Sequence, residues 1–323
     1  MVKRLIKEMS VLVKFIAKRL LQLVIVLLVA SVLIFTMVRL SDTDPVAVIL
    51  GGKQTSPETM AAMRARFHLD KPLAQQYFIW IGGMLHGDFG LSFKYQTQVS
   101  GLLAGRIVVT LGLVALGSVL ALAVAIPLGI LCAHYKHTLV DRIGSIFALI
   151  LAGCPAFLTS ILMILVITKV NPAYPFTGSW STPLEFLERM LLPAVALAFC
   201  MVALAMRVTR SSMIEQQSAP YTMTAVAKGA SDARVIFRHN LKNAVIPVIA
   251  VVSIQIGGMV VGAVLVENVF SLAGLGTLLV DSIKASDYAV VEDITMLLIV
   301  MFMVISTAVD IIYALIDPRI RVQ

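Results

Sequence analysis

Charged residues are scarce in this chain. They make up 14% of its 323 residues, whereas 59% are hydrophobic, which is far more apolar than an ordinary soluble domain. The mean hydropathy of +0.95 agrees with that bias. The composition therefore excludes a soluble globular protein and predicts an integral membrane protein.

The residue patterns that would carry catalysis or metal binding are also lacking. Cys132, Cys154 and Cys200 fall in or beside apolar runs without CxxC spacing, so we interpret them as small apolar core residues. No GxxxxGK[ST] phosphate-binding loop exists, which excludes ATP hydrolysis by that route. His134 and His137 are three residues apart but have few ligand-type neighbours. We predict no metal site and no enzymatic activity.

Six apolar runs approach or reach the roughly 20 residues that cross a bilayer. They cover residues 20–38, 107–133, 143–167, 191–206, 244–266 and 294–315. The first is too long for the core of a cleaved signal peptide, and Met9 is an alternative start. The fourth is the shortest, and an extension past Arg207 is compatible with a span because the long side chain of Arg207 can reach the interface. The sequence predicts an all-α membrane fold with six transmembrane helices and a long external loop after the first.

The distribution of basic residues predicts the orientation of these helices. The N-terminal tail and the segment between the fourth and fifth runs are rich in lysine and arginine, whereas residues 267–293 carry one lysine and five acidic residues. Both termini should therefore be cytoplasmic. The net charge of +8 then reflects topology and attraction to anionic membrane lipid, and we expect no nucleic-acid partner.

Residues 41–106 form the predicted external segment, and they contain two helix signals. Ser56 followed by Pro57 is typical of a helix start. A second amphipathic helix is predicted after Pro72. The apolar stripes of the two helices are Met60, Met63 and Phe67, and Leu73, Tyr77, Trp80 and Met84. We expect both helices to pack on the external ends of the spans or to lie at the interface, with structural packing favoured over a substrate site.

Residues 221–247 predict a helix-turn-helix on the cytoplasmic side. Pro220 should interrupt the helix that continues from the fourth span, and a short helix should follow as far as Lys228. Gly229 is suited to the turn. Ser231 can cap the next helix, which should end near residue 243, before Pro247.

Two features of this segment favour contact with another protein. Thr224, Ala225 and Ala227 are small and would let a partner approach closely. Arg234, Arg238 and Lys242 are spaced four residues apart and predict one basic stripe on the second helix. For the charges alone, contact with lipid head groups is the favoured explanation, so the interpretation as a docking segment depends on the whole pattern.

The whole pattern resembles the EAA loop of type I ABC importer permeases, and in particular the B-type subunits of the dipeptide/oligopeptide/nickel family. The matching residues are Tyr221, Thr224, Ala225, Ala227, Lys228, Gly229, Arg238, His239, Leu241, Asn243, Ala244 and Pro247. Further matches are DPV at 44–46, LDKPLAQQY at 69–77, HGDFGLS at 86–92, IPLG at 126–129, RSSM at 210–213, ENVFSLAGLG at 267–276 and YALIDPRIR at 313–321. The similarity thus covers nearly the whole chain. Met223 and Val226 stand where the family usually has arginine, and Ala273 where it usually has proline.

The resemblance implies a set of partners and a site. It implies a second homologous permease subunit, two ATPase subunits that bind ATP and Mg²⁺, and an extracytoplasmic substrate-binding protein. This chain itself would bind no cofactor. The coupling residues carried over are Tyr221, Thr224, Ala225, Ala227, Lys228, Gly229, Ser231, Arg234 and Arg238. The implied organisation is residues 1–106 as basic tail, first span and external loop, residues 107–316 as a five-helix transmembrane core with its coupling loop at 207–243, and residues 317–323 as a cytoplasmic tail.

The cargo and its path are less clearly marked. Short peptides are the first expectation, and nickel or a metal chelate is the alternative. A stand-alone secondary transporter or channel is a weaker alternative, because buried charges are few and inverted repeats are not apparent. The polar, small-residue part of the fifth span consists of Ser253, Gln255, Gly257, Gly258 and Gly262. Of these, Ser253, Gln255, Gly258 and Gly262 are the predicted pathway lining, although the GxxxG pair of Gly258 and Gly262 more often serves helix packing. Asp310 is expected to form a structural pair with the nearby Arg319 or Arg321.

Overall fold

The computed structural model describes residues 2–40, 46, 56–176 and 180–316, and in these residues the regular secondary structure is helical. We number the helices α1 to α11 along the chain. They are α1 Val2–Arg39, α2 Pro57–Arg66, α3 Leu73–Leu85, α4 Val99–His134, α5 Leu139–Gly153, α6 Ala156–Val170, α7 Pro183–Gln217, α8 Pro220–Ala227, α9 Asp232–Phe270, α10 Leu275–Lys284 and α11 Tyr288–Ile316. The predicted all-α membrane fold is confirmed.

In the part of the chain that the structure describes, five helices are long and apolar enough to cross a membrane. These are α1, α4, α7, α9 and α11. Helix α7 runs for 35 residues from Pro183 to Gln217, so the predicted short fourth span is only the central part of one long helix. Pro193 lies inside α7 and is buried, where packing against neighbouring helices tolerates the missing N–H.

The third predicted span is not a single straight helix. Residues 143–167 fall on α5 and α6, which meet at an angle of 104°. The break lies at Cys154, whose backbone is extended, and at Pro155, which immediately precedes α6. Proline disfavours a helical conformation in the residue before it, and this accounts for the extended Cys154. The third apolar run is therefore not one continuous helix, and α5 and α6 form either a broken span or a re-entrant pair.

The core lies where α4, α7 and α9 pack together. Small and sulfur-containing side chains of α7, such as Ala194 and Met201, are buried there against α4 and α9. Gly129 lies where α4 and α7 approach closely, because a Cβ at this position would lie 2.6 Å from Cβ of Thr209. Such contacts between small residues are typical of helix packing in membranes, where dispersion and not water drives association.

Helices α1 and α11 pack antiparallel at the side of this core. Arg39 at the end of α1 pairs with Glu292 near the start of α11, and Arg19 pairs with Asp310 near its end. Much of α1 remains exposed, including Leu21, Val24 and Leu28, as expected for a helix whose outer surface faces lipid. The start of α1 and the end of α11 therefore lie at the same end of the bundle.

The two ends of the bundle differ in charge, and we name them accordingly. The basic end carries the turn between α4 and α5 and the segment around α8. The acidic end carries α2, α3, residues 86–98 and the α9–α10–α11 turns. The predicted helix start at Ser56 is confirmed, since its side chain accepts a hydrogen bond from Thr59 N. The predicted packing of α3 on the spans is confirmed by Tyr77, whose hydroxyl lies 2.9 Å from Ser31 Oγ of α1.

Candidate coupling segment

The candidate segment lies between the two long helices α7 and α9. Helix α7 ends at Gln217, and the short helix α8 begins at Pro220. A proline lacks the N–H that would continue the preceding helix, but its fixed φ suits a first helical turn. The predicted break at Pro220 and the short helix after it are both confirmed, with Ala227 as the last helical residue.

The turn after α8 depends on Gly229, whose φ is +80°. Its N–H donates to the Val226 carbonyl at 2.9 Å, and the next N–H, of Ala230, donates to the Ala225 carbonyl at 3.1 Å. These two bonds satisfy carbonyls that the helix end would leave open. A Cβ on Gly229 would meet no atom within 4 Å, so glycine is required here for its backbone conformation and not for space.

Helix α8 has a buried side and an exposed side. Thr222 and Ala225 are buried at 4% and 8% exposure, whereas Met223 and Val226 are 64% and 56% exposed. Tyr221 is also exposed, and its hydroxyl donates to the Gln216 side chain. The other predicted contact residues Thr224, Ala227 and Lys228 lie on the exposed side. Ala225 therefore serves the packing of α8 and is not available for direct contact with a partner.

The second helix of the segment does not end before Pro247, and that prediction was wrong. Helix α9 continues from Asp232 through Pro247 to Phe270, so the segment runs directly into the fifth span. Residues Val235–Asn240 form a π-helix at this junction. A proline is tolerated inside a membrane helix when neighbouring helices support it, and the flanking apolar pattern continues on both sides of Pro247.

The basic residues of this second helix are exposed. Arg234, Arg238 and Lys242 all lie on the surface, and Phe237 beside them is 63% exposed. Because the π-helix adds residues to each turn, their spacing of four does not produce the straight α-helical stripe that we expected. Ser231 occupies the cap position with an extended backbone, but its side chain does not form the capping hydrogen bond.

Polar contacts attach the surroundings of α8 to the rest of the basic end. Arg210 of α7 donates from Nε to Oδ1 of Asp141 at 2.5 Å, and from its second amino group to Oδ2 at 2.7 Å. The backbone N–H of His137 donates to the same carboxylate at 3.0 Å. Gln217, the last residue of α7, donates to the Ala133 carbonyl of α4 at 3.3 Å. Bidentate pairs of this kind fix orientation as well as distance.

A small apolar cluster lies beneath these contacts. Ala133 of α4, Met213 of α7 and Ala244 of α9 are each fully buried, and Ile236 and Leu241 pack against them. The cluster joins the ends of three long helices immediately next to α8. A displacement of α8 would therefore act on the helix ends and not on an isolated loop.

The four predicted pathway residues do not share one face of α9. Ser253 is buried, and its hydroxyl donates to the Ile249 carbonyl at 2.7 Å. Gln255, Gly258 and Gly262 are spaced so that they lie on another side, since each helical residue advances by about 100°. Gly258 is exposed and has no atom within 4 Å of an added Cβ, whereas one on Gly262 would lie 3.1 Å from Leu197.

The close helix contact near these residues belongs to a different glycine. A Cβ on Gly257 would lie 2.6 Å from Ser306 Oγ and 2.8 Å from the Phe302 ring. The tight approach of α9 to α11 is thus at Gly257, and the predicted GxxxG pair at Gly258 and Gly262 does not form it.

Asp310 has a partner that the sequence reasoning missed. Its carboxylate lies 3.3 Å from Arg19 of α1. Arg319 and Arg321, the partners that we expected, lie outside the described residues. Ser253 and the Arg19–Asp310 pair border a cavity of about 250 Å³ between α1, α9 and α11. Asp310 thus joins the first and last spans, which are separated by most of the sequence.

Buried carboxylates at the acidic end were also missed. Glu267 is fully buried at the end of α9 and accepts hydrogen bonds from Thr110 Oγ1 at 2.6 Å and Gly276 N at 2.7 Å. Leu275 N donates in turn to Thr110 Oγ1 at 3.0 Å. A Cβ on Gly274 would lie 2.2 Å from the Glu267 carboxyl carbon. The motif at 267–276 therefore folds around its own glutamate and is held without a proline at position 273.

Asp287 attaches residues 92–94 to this end. It is fully buried and accepts hydrogen bonds from Ser92 Oγ at 2.5 Å, Phe93 N at 3.0 Å and Lys94 N at 3.1 Å. A carboxylate that accepts several backbone N–H groups orders a loop strongly. The sequence offered a signal in the HGDFGLS motif, but nothing in the spacing indicated that its partner lies almost 200 residues away.

Two further acidic residues bind α1 and α3 to the start of α11. Trp80 Nε1 donates to Asp293 Oδ1 at 2.8 Å, and Arg39 forms an ion pair with Glu292. The Arg39 guanidinium also stacks 3.9 Å from the centre of the Phe35 ring. These contacts border a cavity of about 560 Å³ between α2, α3 and α11. From the sequence alone, Glu292 and Asp293 count only as acidic loop charges.

The comparison with known families identifies the chain. The profile of the family described as "Binding-protein-dependent transport system inner membrane component" matches residues 125–322, which is more than half of the sequence. The chain belongs to this family. A second profile, for the N-terminal membrane component of such transport systems, matches residues 12–114. The resemblance to type I ABC importer permeases is thus confirmed.

Individual relatives of this transport component are similar over almost their whole length. A putative peptide permease protein of Brucella suis is 36% identical over 304 residues, which is 92% of this chain and 95% of the relative. The dipeptide transport system permease protein DppB of Escherichia coli K12 is 33% identical over 334 residues, covering 95% and 98%. The glutathione transport system permease protein GsiC of Salmonella typhi is 34% identical over 309 residues, with the same coverage.

Proposed function

We propose that this transport component is one of two permease subunits of an ATP-driven importer, and that two ATPase subunits drive it through α8. In this proposal the second permease is a homologue, and an extracytoplasmic binding protein delivers the cargo. The family to which the chain belongs supports this arrangement, because its description names binding-protein dependence. The exposed side of α8 supports the position of the ATPase contact.

The single observation that carries the proposal is the apolar surface of α8. Met223 and Val226 are more than half exposed, and so is Phe237 on the following helix. These side chains lie at the basic end, where exposed lysines and arginines indicate water and lipid head groups and not hydrocarbon. Large apolar side chains exposed in that environment are typical of an interaction site. We therefore expect a partner protein to cover it.

The chemistry of this surface describes the groove that would receive it. Met223 and Val226 require an apolar floor, and Tyr221 can reach its edge. Lys228, Arg234 and Arg238 are exposed in the same segment and favour an acidic rim. Since Met223 and Val226 stand where the resembling permeases usually have arginine, we expect this pair of subunits to rely on apolar contact at these two positions instead of ion pairs.

The proposed mechanism transfers motion from α8 to the spans. ATP and Mg²⁺ are bound by the partner ATPase subunits, and this chain binds neither. When the ATPase subunits close, they shift α8, and its attachment to the ends of α7 and α9 moves both helices. The permease pair then exchanges inward-open and outward-open packings, a two-state equilibrium that the partner biases.

The proposed location is the bacterial inner membrane, with both termini in the cytoplasm. The start of α1 and the end of α11 lie at the same end as α8, because Arg19 contacts Asp310 there. Basic residues favour the cytoplasmic side of a membrane, and they are concentrated at this end. The acidic end, with α2 and α3, would then face the binding protein.

We propose short peptides as the cargo. The relatives named for peptide, dipeptide and glutathione transport support this choice over nickel or a metal chelate. Gln255 and Gly258 lie on a partly exposed side of α9 together with Val261, which is 66% exposed. We propose that this side, and not buried Ser253, borders the path between the two permeases.

The test replaces the apolar contact with charge. Met223→Asp and Val226→Asp should abolish co-purification of the ATPase subunits with this chain and stop peptide uptake, because a carboxylate would be buried without a partner in an apolar groove. Leu85→Asp is the matched control, since Leu85 is 80% exposed at the opposite end of the bundle. Normal co-purification and uptake in both α8 variants would refute the assignment of this surface.

A further inference from the structure

A chain of buried polar groups connects α7, α8 and α9 behind the exposed surface. Thr222 Oγ1 of α8 lies 2.8 Å from the Gln216 carbonyl oxygen at the end of α7, and 2.7 Å from Oδ1 of Asn240 in α9. Thr222 is 4% exposed and Asn240 is fully buried. These three residues bring together three consecutive helices at one point.

The number of available protons determines which group donates in each of these hydrogen bonds. A hydroxyl has one proton, so Thr222 cannot donate both to Gln216 and to a carbonyl oxygen of Asn240. Asn240 Nδ2 is at the same time buried without a partner. Turning the Asn240 amide by half a turn exchanges Nδ2 and Oδ1 without changing its shape. Nδ2 then donates to Thr222 Oγ1, and Thr222 donates to the Gln216 carbonyl.

The π-helix explains how Asn240 comes to point inward. Val235 and Asn240 are five residues apart and both are buried, at 7% and 0% exposure. In an α-helix, residues five apart point in directions about 140° different. The i→i+5 bonds of a π-helix bring them to the same side, and the π-helix spans Val235–Asn240. The wider turn therefore places the Asn240 amide against α8.

We infer that Thr222 and Asn240 are positioning residues that transmit the movement of α8 to α7 and α9, an inference that rests on the proposed function. Helix α8 has eight residues, which is too short to be stable in isolation. Its position therefore depends on its contacts with the neighbouring helices. The Thr222 hydroxyl provides a directional contact with both of them, so the three helices move together when a partner displaces the exposed side of α8.

The test removes the hydroxyl and keeps the shape of the side chain. The complete importer is purified with its ATPase subunits, reconstituted in proteoliposomes, and assayed for peptide imported per ATP hydrolysed. Thr222→Val should lower this ratio at least about fivefold, since a buried donor loses its acceptor. Thr222→Ser keeps the hydroxyl and should stay within about twofold of the wild type, the scatter expected where the hydrogen bond is retained. The ATPase subunits should co-purify normally in both, because the exposed side of α8 is unchanged.

Thr209→Val is the matched control. Thr209 is 1% exposed, and its hydroxyl donates to the Ala205 carbonyl of its own helix at 2.7 Å. The same substitution therefore removes a buried hydroxyl that joins no second helix. An equal loss of coupling in Thr209→Val and Thr222→Val would overturn the inference, and so would a normal ratio in Thr222→Val.

A double variant tests the pairing itself. Thr222→Val combined with Asn240→Leu replaces both polar partners by apolar groups of similar shape, which is often nearly neutral, and the Gln216 carbonyl still accepts from Ala219 N at 3.2 Å. The yield of folded protein should recover toward the wild-type value, whereas the ratio should stay as low as in Thr222→Val, because no directional contact is restored. Recovery of the ratio would overturn the inference, since it would show that only the unpaired buried donor of Asn240 was harmful. Absence of ATPase subunits from the wild-type complex would instead refute the proposed function.

Discussion

The turn at Gly229 gives a specific prediction, because the turn depends on only one property of this residue, its positive φ. Its φ of +80° is a conformation that side chains with a Cβ rarely adopt, yet a Cβ there would meet no neighbouring atom within 4 Å. Gly229→Val therefore introduces backbone strain without a steric collision. Holding a residue other than glycine in such a region costs about 1–3 kcal/mol, and a β-branched residue belongs at the upper part of that range.

This strain is large enough to change the position of α8. Each 1.4 kcal/mol changes an equilibrium constant tenfold. A cost of about 1–3 kcal/mol therefore lowers the population of the observed turn roughly 5- to 150-fold relative to relaxed conformations. The turn bonds from Gly229 N and Ala230 N to α8 carbonyls would open, and the start of α9 would no longer be set by the end of α8. We expect uptake to fall at least about fivefold and ATPase co-purification to weaken, while membrane insertion remains normal.

Two variants separate this explanation from a general effect of substitution. Gly229→Asn should retain much more activity than Gly229→Val, because asparagine tolerates positive φ. Gly101→Val is the matched control at the start of α4, where an added Cβ also meets no atom within 4 Å and φ is not positive. Peptide uptake in cells and pull-down of the ATPase subunits are the measurements. Equal activity of the valine and asparagine variants at 229 would show that the backbone conformation is not what matters.

Three further predictions concern contacts that hold the bundle together. Gly276→Ala should lower the yield of folded protein in detergent, because its Cβ would lie 2.3 Å from Val264 Cα and only a backbone shift can relieve that contact. Asp287→Ala should speed protease cleavage within residues 92–95, since the buried carboxylate that binds this loop is lost, at about 1–3 kcal/mol; unchanged cleavage would contradict this role. Asp141→Asn should lower the thermal midpoint of unfolding more than the control Asp70→Asn does, because Asp141→Asn weakens the pair with Arg210 and Asp70 is exposed.

Local patterns in the sequence were sufficient for part of this fold. The apolar runs, the cap at Ser56, the interruption at Pro220 and the turn at Gly229 depend on nearby residues, and all four were predicted. The break at Cys154 and Pro155 was not predicted. An apolar run that contains one proline is compatible with a kinked span as well as with the observed bend of 104°. The packing of α6 against α7 and α9 decides between them, and this information is not local.

The buried polar contacts could not be predicted for a related reason. Thr110 and Glu267 are 157 positions apart, and Ser92 and Asp287 are 195 apart. Nothing in the residues near Glu267 indicates which distant hydroxyl will bind it. The burial of Ala225, by contrast, follows from the side of α8 that faces α7 and α9, and the π-helix that orients Asn240 has no clear sequence signal.

Reconstitution tests the central claim most directly. This chain and its homologous permease are placed in proteoliposomes with and without the ATPase subunits, and peptide uptake is measured with the binding protein present. The account predicts uptake only when the ATPase subunits and ATP are both supplied, and no uptake by this chain alone. Uptake driven by an ion gradient in the absence of the ATPase subunits would contradict it and would favour a stand-alone secondary transporter.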